Sequence, residues 1–135
     1  MGSLHRKPIA NNGLVHNITP KNADWHYVGF DLYKLSPGQS ANGSTGKREV
    51  IIVLVEGRAH LKTSGNDWGV LGDRMSVFEK TSPHCLYLPC DNEWEAEAST
   101  NCVLAVCSAP CKKKYDPRLV GPDDIELTKR GKGVN

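Results

Sequence analysis

The stretch REVIIVLVEGRAHLKT, Arg48 to Thr63, contains the longest apolar run of the chain, VIIVLV from Val50 to Val55. A run of β-branched and aliphatic residues is typical of a strand that is covered on both faces. Glu56-Gly57 predicts a tight turn, after which the remainder of the stretch forms a second strand. The run is too short for a membrane span, which takes about 20 apolar residues.

Strand patterns recur on both sides of this stretch. The segment WHYVGFDLYKL, Trp25 to Leu35, alternates along its length as a half-buried strand does. Later segments of strand character are VLGDRMSVFE, HCLYLP, WEAEAST and NCVLAVCSAP, of which the last two indicate a final strand pair. Turn-rich sequence separates the strands, most clearly SPGQSANGSTGKR and SGNDWG. No long segment has helical periodicity, so the sequence predicts an all-β sandwich or small barrel.

The composition changes beyond Pro110. The segment CKKKYDPRLVGPDDIELTKRGKGVN is polar, rich in charge and interrupted by Pro and Gly. We therefore expect residues 1–110 to form the barrel and residues 111–135 to form a tail or interdomain linker, helical or irregular, with GPDDIELTKR as the best helical candidate. Two explanations of this segment stay open, a frayed terminus and a linker that was cut before a second domain.

The composition also excludes several classes of protein. The chain has 135 residues, of which 39% are hydrophobic and 24% charged, and this suits one globular domain. Its net charge of +2 is too small to indicate nucleic-acid binding. The start, MGSLHRKPIANNG, has no apolar signal-peptide core, so we expect a cytoplasmic protein without a membrane segment. The five cysteines are odd in number and include no C-x2-C pair, which indicates free thiols.

Two segments have the frame of a metal site but not its ligands. Cupins, small antiparallel jelly-roll barrels, carry the motifs G-x5-H-x-H-x3,4-E-x6-G and G-x5-P-x-G-x2-H-x3-N, whose ligands point into the barrel. This sequence resembles that frame, with Gly43 and Thr45 near the histidine positions and Glu49 near the glutamate. In the second motif, Asp91 stands where glycine would and Trp94 where histidine would. With at most one of the ligands present, we predict a cupin-like jelly-roll barrel without a metal.

Three residues are candidates for a pocket: Glu49, His60 and Trp94. Trp94, with Trp25 and Trp68, could form a stacking platform for a sugar or could simply pack. Glu49 could act as an acid or base, or could pair with a neighbouring Lys or Arg. The histidines are isolated in sequence, which is more typical of hydrogen-bonded than of ligating histidines. Catalytic residues therefore stay unknown from the sequence, and no cofactor-binding motif is present.

The chain resembles one known family over nearly its whole length, from Leu4 to Asn135. The matching segments are LHRKP, ITPKNADWHYVGFDLYKLSPGQS, REVIIVLVEGRAHL, DRMSVFEKTSPHCLYLPCDNEW, LAVCSAP, RLVGPDDI and TKRGKGVN. They are similar to the N-terminal half of the bacterial 5-deoxy-glucuronate isomerases of myo-inositol catabolism, which are two-cupin proteins.

The resemblance implies that the intact protein converts 5-deoxy-glucuronate, an aldose acid, to 5-dehydro-2-deoxy-gluconate, a ketose acid. In this family the divalent metal lies in the second cupin, so we expect no metal or other cofactor on this chain and no activity from it alone. Its expected role is structural, with a second cupin domain and further copies of the protein as partners. The alternative is a stand-alone, metal-free cupin that binds a small molecule or serves as an oligomerisation module.

Overall fold

The computed structural model describes residues 6–9, 13–128 and 130–131. The strands of this part are β1 (Leu14–Ile18), β2 (Gly29–Leu35), β3 (Ser40–Ser44), β4 (Arg48–Glu56), β5 (Ala59–Thr63), β6 (Asn66–Leu71), β7 (Cys85–Leu88), β8 (Glu93–Ala98), β9 (Cys102–Pro110) and β10 (Arg118–Val120). A short helix, α1 (Pro20–Ala23), and a 3-10 turn, Pro122–Asp124, accompany them. The all-β prediction is confirmed, and no helix within these ranges is long and apolar enough to cross a membrane.

The strands form two antiparallel sheets with one core between them. The large sheet has the order β1-β2-β9-β4-β7-β10, and the small sheet has the order β3-β8-β5-β6. Side chains without exposed surface fill the space between the sheets, among them Ile52, Leu86, Leu88 and Leu104. Removing apolar surface from water, at about 25 cal/mol per Å², is the main favourable contribution to such a fold.

The apolar run quoted first forms β4, which pairs with β9 on one side and β7 on the other. Val50, Ile52 and Leu54 face the core, whereas Ile51 is 45% exposed on the outer face of the sheet. The prediction that this run is covered on both faces is therefore wrong for the described chain. The predicted turn is confirmed at Gly57, whose φ of 88° favours glycine, but β5 then joins the small sheet instead of pairing with β4.

The structure departs from the sequence predictions in several segments. The strand predicted from Trp25 begins only at Gly29, and VLGDRMSVFE is a strand only as far as Leu71. β3 lies within SPGQSANGSTGKR, which predicts a loop, because pairing with β8 supplies order that the local sequence does not encode. β8 and β9, predicted as a strand pair, belong to different sheets. Where GPDDIELTKR is the best helical candidate, only Pro122–Asp124 form a 3-10 turn in the described residues.

The large sheet extends beyond Pro110. β10 pairs antiparallel with β7 and forms the edge of the sheet. To reach that edge, residues 111–117 pass the ends of β4 and β7. Lys114 Nζ lies 3.9 Å from Asp91 Oδ2 along this path. Residues 111–135, which the composition predicts to be a tail or linker, therefore contribute the strand β10 to the large sheet.

The alternation along β4 can be tested with two adjacent isoleucines. We expect Ile52→Ala to lower the free energy of unfolding by about 2–5 kcal/mol, because it leaves a cavity in a closed core. Ile51→Ala, the same change on the outer face, should cost about 1 kcal/mol or less. Urea unfolding followed by circular dichroism measures both, and equal losses would contradict the facing assigned to this strand.

Candidate functional site

Two of the cupin-motif positions, Gly43 and Trp94, meet in the core. Gly43 on β3 lies directly opposite Trp94 on β8, and the Trp94 side chain is 5% exposed. A Cβ atom on Gly43 would lie 2.8 Å from the indole Nε1 of Trp94, so the ring occupies the space of a side chain at that position. The ring of Tyr33 meets the indole edge-on, with centroids 6.1 Å apart. The structure thus places Trp94 in the core packing.

Thr45 fastens the loop before β4 to the turn before β8. Its hydroxyl donates to the carbonyl oxygen of Pro89 and accepts from the backbone N–H of Asn92, both at 2.9 Å. Asp91, which stands at the glycine position of the cupin motif, has a left-handed backbone with φ of 59°. The left-handed backbone that suits the motif glycine is therefore present at Asp91, while Trp94 stands at the histidine position of the same motif.

Glu49 lies on the outer face of the large sheet. It precedes Val50, which faces the core, and successive side chains of a strand point to opposite faces. The hydroxyl of Tyr87 on β7 donates to Glu49 Oε2 at 2.9 Å. Burial and this carboxylate raise the pKa of Tyr87 to about 12. The partner that the structure gives to Glu49 is therefore a tyrosine rather than a neighbouring Lys or Arg.

His60 lies on the outer face of the small sheet, between the buried residues Ala59 and Leu61. Its Nε2 atom is 2.6 Å from Oδ1 of Asp67 on β6. The hydrogen bond from His60 lowers the pKa of Asp67. This pair gives His60 the hydrogen-bonded surface role that its isolation in the sequence predicts.

The three sequence candidates do not converge on one pocket. Glu49 lies outside the large sheet, His60 lies outside the small sheet, and Trp94 lies between them. Within the ranges that the structure describes, no three His, Cys, Asp or Glu side chains are grouped as a metal site would require.

Sequence reasoning missed an acidic side chain on the inner face of β2. Asp31 accepts a hydrogen bond from Asn17 Nδ2 on β1 at 2.6 Å. Partial burial raises the pKa of Asp31, and the hydrogen bond from Asn17 opposes that shift. The strand alternation of WHYVGFDLYKL already places Asp31 on the same face as Tyr33, which was the available signal. A half-buried acid with a raised pKa is a general feature of functional sites, although ion pairs and packing also produce it.

Sequence reasoning also missed Arg48, the first residue of β4. It donates from Nε to Ser108 Oγ at 3.1 Å and from Nη2 to the carbonyl oxygens of Ser108 and Tyr27. Among the described residues no carboxylate forms an ion pair with it. The guanidinium therefore fastens the segment before β2 to the end of β9.

The outer face of the large sheet carries an exposed apolar depression, here called the outer groove, with a volume of about 260 Å³. Its lining consists of Val28, Glu49, Val50, Ile51, Tyr87, Cys107, Ser108 and Ala109. Val28 is 49% exposed, and the adjacent Tyr27 is 66% exposed. Contiguous exposed apolar surface of this kind commonly marks an interaction site.

Comparison with known proteins identifies the family. The model of the KduI/IolB family matches residues 3–135. The chain belongs to the KduI/IolB family. It is 40% identical over 121 residues to a protein of Geobacillus thermodenitrificans named 5-deoxy-glucuronate isomerase, covering 90% of this chain and 44% of that protein. A protein of the same name from Halalkalibacterium halodurans is 34% identical, covering 100% of this chain and 52% of its own length.

A solved structure agrees with this assignment. The crystal structure of an IolB-like protein from Salmonella typhimurium superposes with a TM-score of 0.88 at 36% identity, covering 93% of this chain and 48% of that one. The family resemblance and the cupin-like β fold predicted from the sequence are both confirmed. The chain spans about half the length of the relatives that it matches.

The contact between Tyr87 and Glu49 predicts a late titration step. Because the pKa of Tyr87 is raised, to about 12, its neutral form favours the folded state; that contribution is present below pH 10 and is lost as the pH rises from 10 toward 12. An absorbance titration of the phenolate should show this step in the native chain and not in Tyr87→Phe. Glu49→Gln should move the step to lower pH, and a step that does not move would contradict the assigned partner.

Proposed function

We propose that this chain is the structural half of a sugar-acid isomerase. The intact protein would convert 5-deoxy-glucuronate to 5-dehydro-2-deoxy-gluconate, as the family resemblance implies. The observation that carries the proposal is the match of residues 3–135 to the KduI/IolB family, together with relatives named 5-deoxy-glucuronate isomerase. The same resemblance implies a role in inositol catabolism and a cytoplasmic location.

The chemistry of the reaction supports a division of roles between two domains. Moving a proton between adjacent carbons requires an acid/base within reach of the substrate, and a divalent metal can polarise the carbonyl group. At the end of the barrel where cupin motifs place ligands, this chain has Gly43, the hydrogen-bonded Thr45 and the buried Trp94. Glu49 points away from that end. This set of donors does not fit a divalent metal, so we propose that the second cupin domain binds the metal and the sugar acid.

The proposed role of this half is to support that second domain. The outer groove exposes Val28 and Ile51. A sheet face that stays in contact with water usually carries polar side chains at such positions. The relatives contain about as much chain again, so they have a domain available to cover the groove. We propose that the second cupin domain packs there and that the complete protein forms a homo-oligomer.

One observation favours the alternative, a stand-alone module that binds a small molecule. A cleft of about 480 Å³ crosses β3, β8 and β5, and its lining includes the candidate Trp94 together with the polar residues Asn42, Lys62, Glu93 and Glu95. Its hydrogen-bonding groups suit a hydroxylated ligand better than an apolar one. In this alternative the chain would bind such a ligand without a second domain.

An activity assay separates the two functions. The 135-residue chain is assayed with 5-deoxy-glucuronate, alone and joined to the part of the Geobacillus thermodenitrificans relative that it does not cover. We expect less than one metal ion per isolated chain after dialysis and no isomerisation, but activity in the joined protein. The uncovered part of the relative, assayed alone, is the control. Isomerisation by the isolated chain would overturn the division of roles, and an inactive joined protein that is folded and metal-loaded would overturn the isomerase assignment.

The proposed interface is tested with matched charged substitutions. In the joined protein we expect Ile51→Glu to lower stability by about 2 kcal/mol or more, because it buries a charge without a partner. Val70→Glu is the control, since Val70 is 56% exposed on the outer face of the small sheet. In the isolated chain both substitutions should have small effects. Equal melting temperatures of the two joined variants would exclude the outer groove as the interface.

A further inference from the structure

The loop between β6 and β7 presents apolar side chains to water. Its residues 75–78, here called the loop tip, include Met75 at 47% exposure, Val77 at 46% and Phe78 at 92%. Among the large apolar side chains of the described ranges, Phe78 is the most exposed. Aromatic residues that project in this way are typical anchors of protein–protein contacts.

The loop is fixed to the turn between β4 and β5. Gly72 has φ of 120°, and a Cβ atom there would collide with the carbonyl oxygen of Gly57, so only glycine allows this approach. The N–H of Gly57 donates to the carbonyl oxygen of Arg74 at 3.0 Å. Arg74 donates from Nε to the carbonyl oxygen of Val55 at 2.8 Å and from Nη1 to that of Thr81 at 3.1 Å. The guanidinium therefore joins both ends of the loop to the end of β4.

The backbone of the loop tip is hydrogen-bonded within the chain. The N–H of Met75 donates to Glu79 Oε2 at 2.9 Å, and the N–H of Val77 donates to Glu56 Oε2 at 3.3 Å. The N–H of Glu79 donates to the carbonyl oxygen of Ser76 at 3.1 Å. Polar groups of the loop tip are thus satisfied inside the chain while its apolar side chains stay exposed. Burial against a partner requires this arrangement, because unsatisfied polar groups are costly in an interface.

A cavity of about 450 Å³, here called the tip cavity, adjoins the loop tip. Met75 lies in its lining, and the other apolar residues there are Leu35, Cys102 and Val103. Phe78 of the same chain does not fill this cavity, because its side chain is almost fully exposed. A projecting ring and a receptor for a ring therefore lie beside each other on one molecule, as a two-fold contact between identical copies requires.

The charges beside the loop tip also suit a second copy. Asp73 precedes the tip and Lys80 follows it, and both are exposed. Within the described part of the chain neither residue forms an ion pair. In a two-fold contact, residue i of one copy meets residue j of the other and the reverse, so each Asp73 meets a Lys80. A purely acidic or purely basic partner would leave one of these charges unmatched.

We propose that the loop tip is a contact between two copies of this chain, in which Phe78 of each copy enters the tip cavity of the other. Asp73 and Lys80 pair across the axis on both sides of the rings. The area within reach of one loop is at the low end of interface sizes, below about 1,200 Å², so the isolated chain should dimerise with a dissociation constant in the micromolar range.

This contact is separate from the outer groove. Val103 of the tip cavity and Ala109 of the outer groove both lie on β9, six residues and therefore about 20 Å apart. The second cupin domain and a second copy would thus occupy different ends of the large sheet. The proposal rests on the proposed function only in that it supplies the homo-oligomer expected there, and it requires no enzymatic activity.

The test is sedimentation velocity of the 135-residue chain at concentrations from about 1 μM to about 1 mM. We expect the sedimentation coefficient to rise with concentration as the dimer forms. Phe78→Ser should raise the dissociation constant about tenfold or more, because it removes the ring that enters the cavity. Leu127→Ser is the matched control, since Leu127 is 74% exposed outside this loop, and it should leave the constant unchanged. Circular dichroism verifies that each variant is folded.

A charge exchange tests the symmetry of the contact. Asp73→Lys and Lys80→Asp should each weaken the dimer, because like charges then meet across the axis. The double variant should restore it. The two residues are not paired within one copy, so this restoration reports a contact between copies.

Three results would overturn the proposal. The first is a monomer at every concentration, which would leave the loop tip to the second cupin domain or to another protein. The second is a dimer that Phe78→Ser does not weaken. The third is a dimer that Ile51→Glu dissociates, because the outer groove would then join the copies. None of these results decides whether the joined protein is active, so failure of this contact and failure of the isomerase assignment are seen in different experiments.

Discussion

The indole of Trp94 fits into the barrel because the residue opposite it is glycine. Gly43 and Trp94 are direct partners across β3 and β8, and a Cβ atom at residue 43 would lie 2.8 Å from Nε1 of the indole. A side chain at the first position and the ring at the second therefore exclude each other. Tyr33 meets the edge of the same ring, so aromatic packing fills this end of the core. Metal binding would require donor atoms in that space, which makes packing and coordination alternative uses of one end of the barrel.

The period of two residues along a strand determines which partner each side chain of β4 meets. Val50 and Ile52 face the core, and Glu49 and Ile51 consequently lie on the outer face. If a motif is aligned with an error of one residue, it cannot predict to which face of the sheet a carboxylate points, because successive side chains point to opposite faces. Glu49 therefore contacts Tyr87 on the outer face, although its place in the sequence is close to that of a cupin ligand. The same alternation lets one strand contribute to the core and to the outer groove.

The sequence predicts those parts of the fold whose order comes from local apolar pattern. β4, β7 and β9 contain such patterns and were found from the residues alone. β3 has the polar sequence SANGS, and only its ladder with β8 makes it a strand, so tertiary pairing outweighs propensity there. For the site, motif spacing identified Gly43, Thr45 and Trp94. It could not predict the contact between Glu49 and Tyr87, because that contact depends on the pairing of β4 with β7 and on the face of the sheet that each side chain takes.

The chain belongs to a family with isomerases, yet its motif positions do not carry a set of metal ligands. The two facts are consistent if one barrel of the proposed enzyme binds the metal and the sugar acid and the other supports it. A barrel that binds a metal and a sugar acid needs a polar, open end, and each buried donor there costs free energy unless it is satisfied. A barrel whose end is filled by Trp94 does not bear that cost and gains apolar burial instead. Its backbone turn is kept, with Asp91 in the left-handed conformation and Thr45 bonded across it. On this view the turn persists because it joins the sheets, so its shape is independent of metal binding.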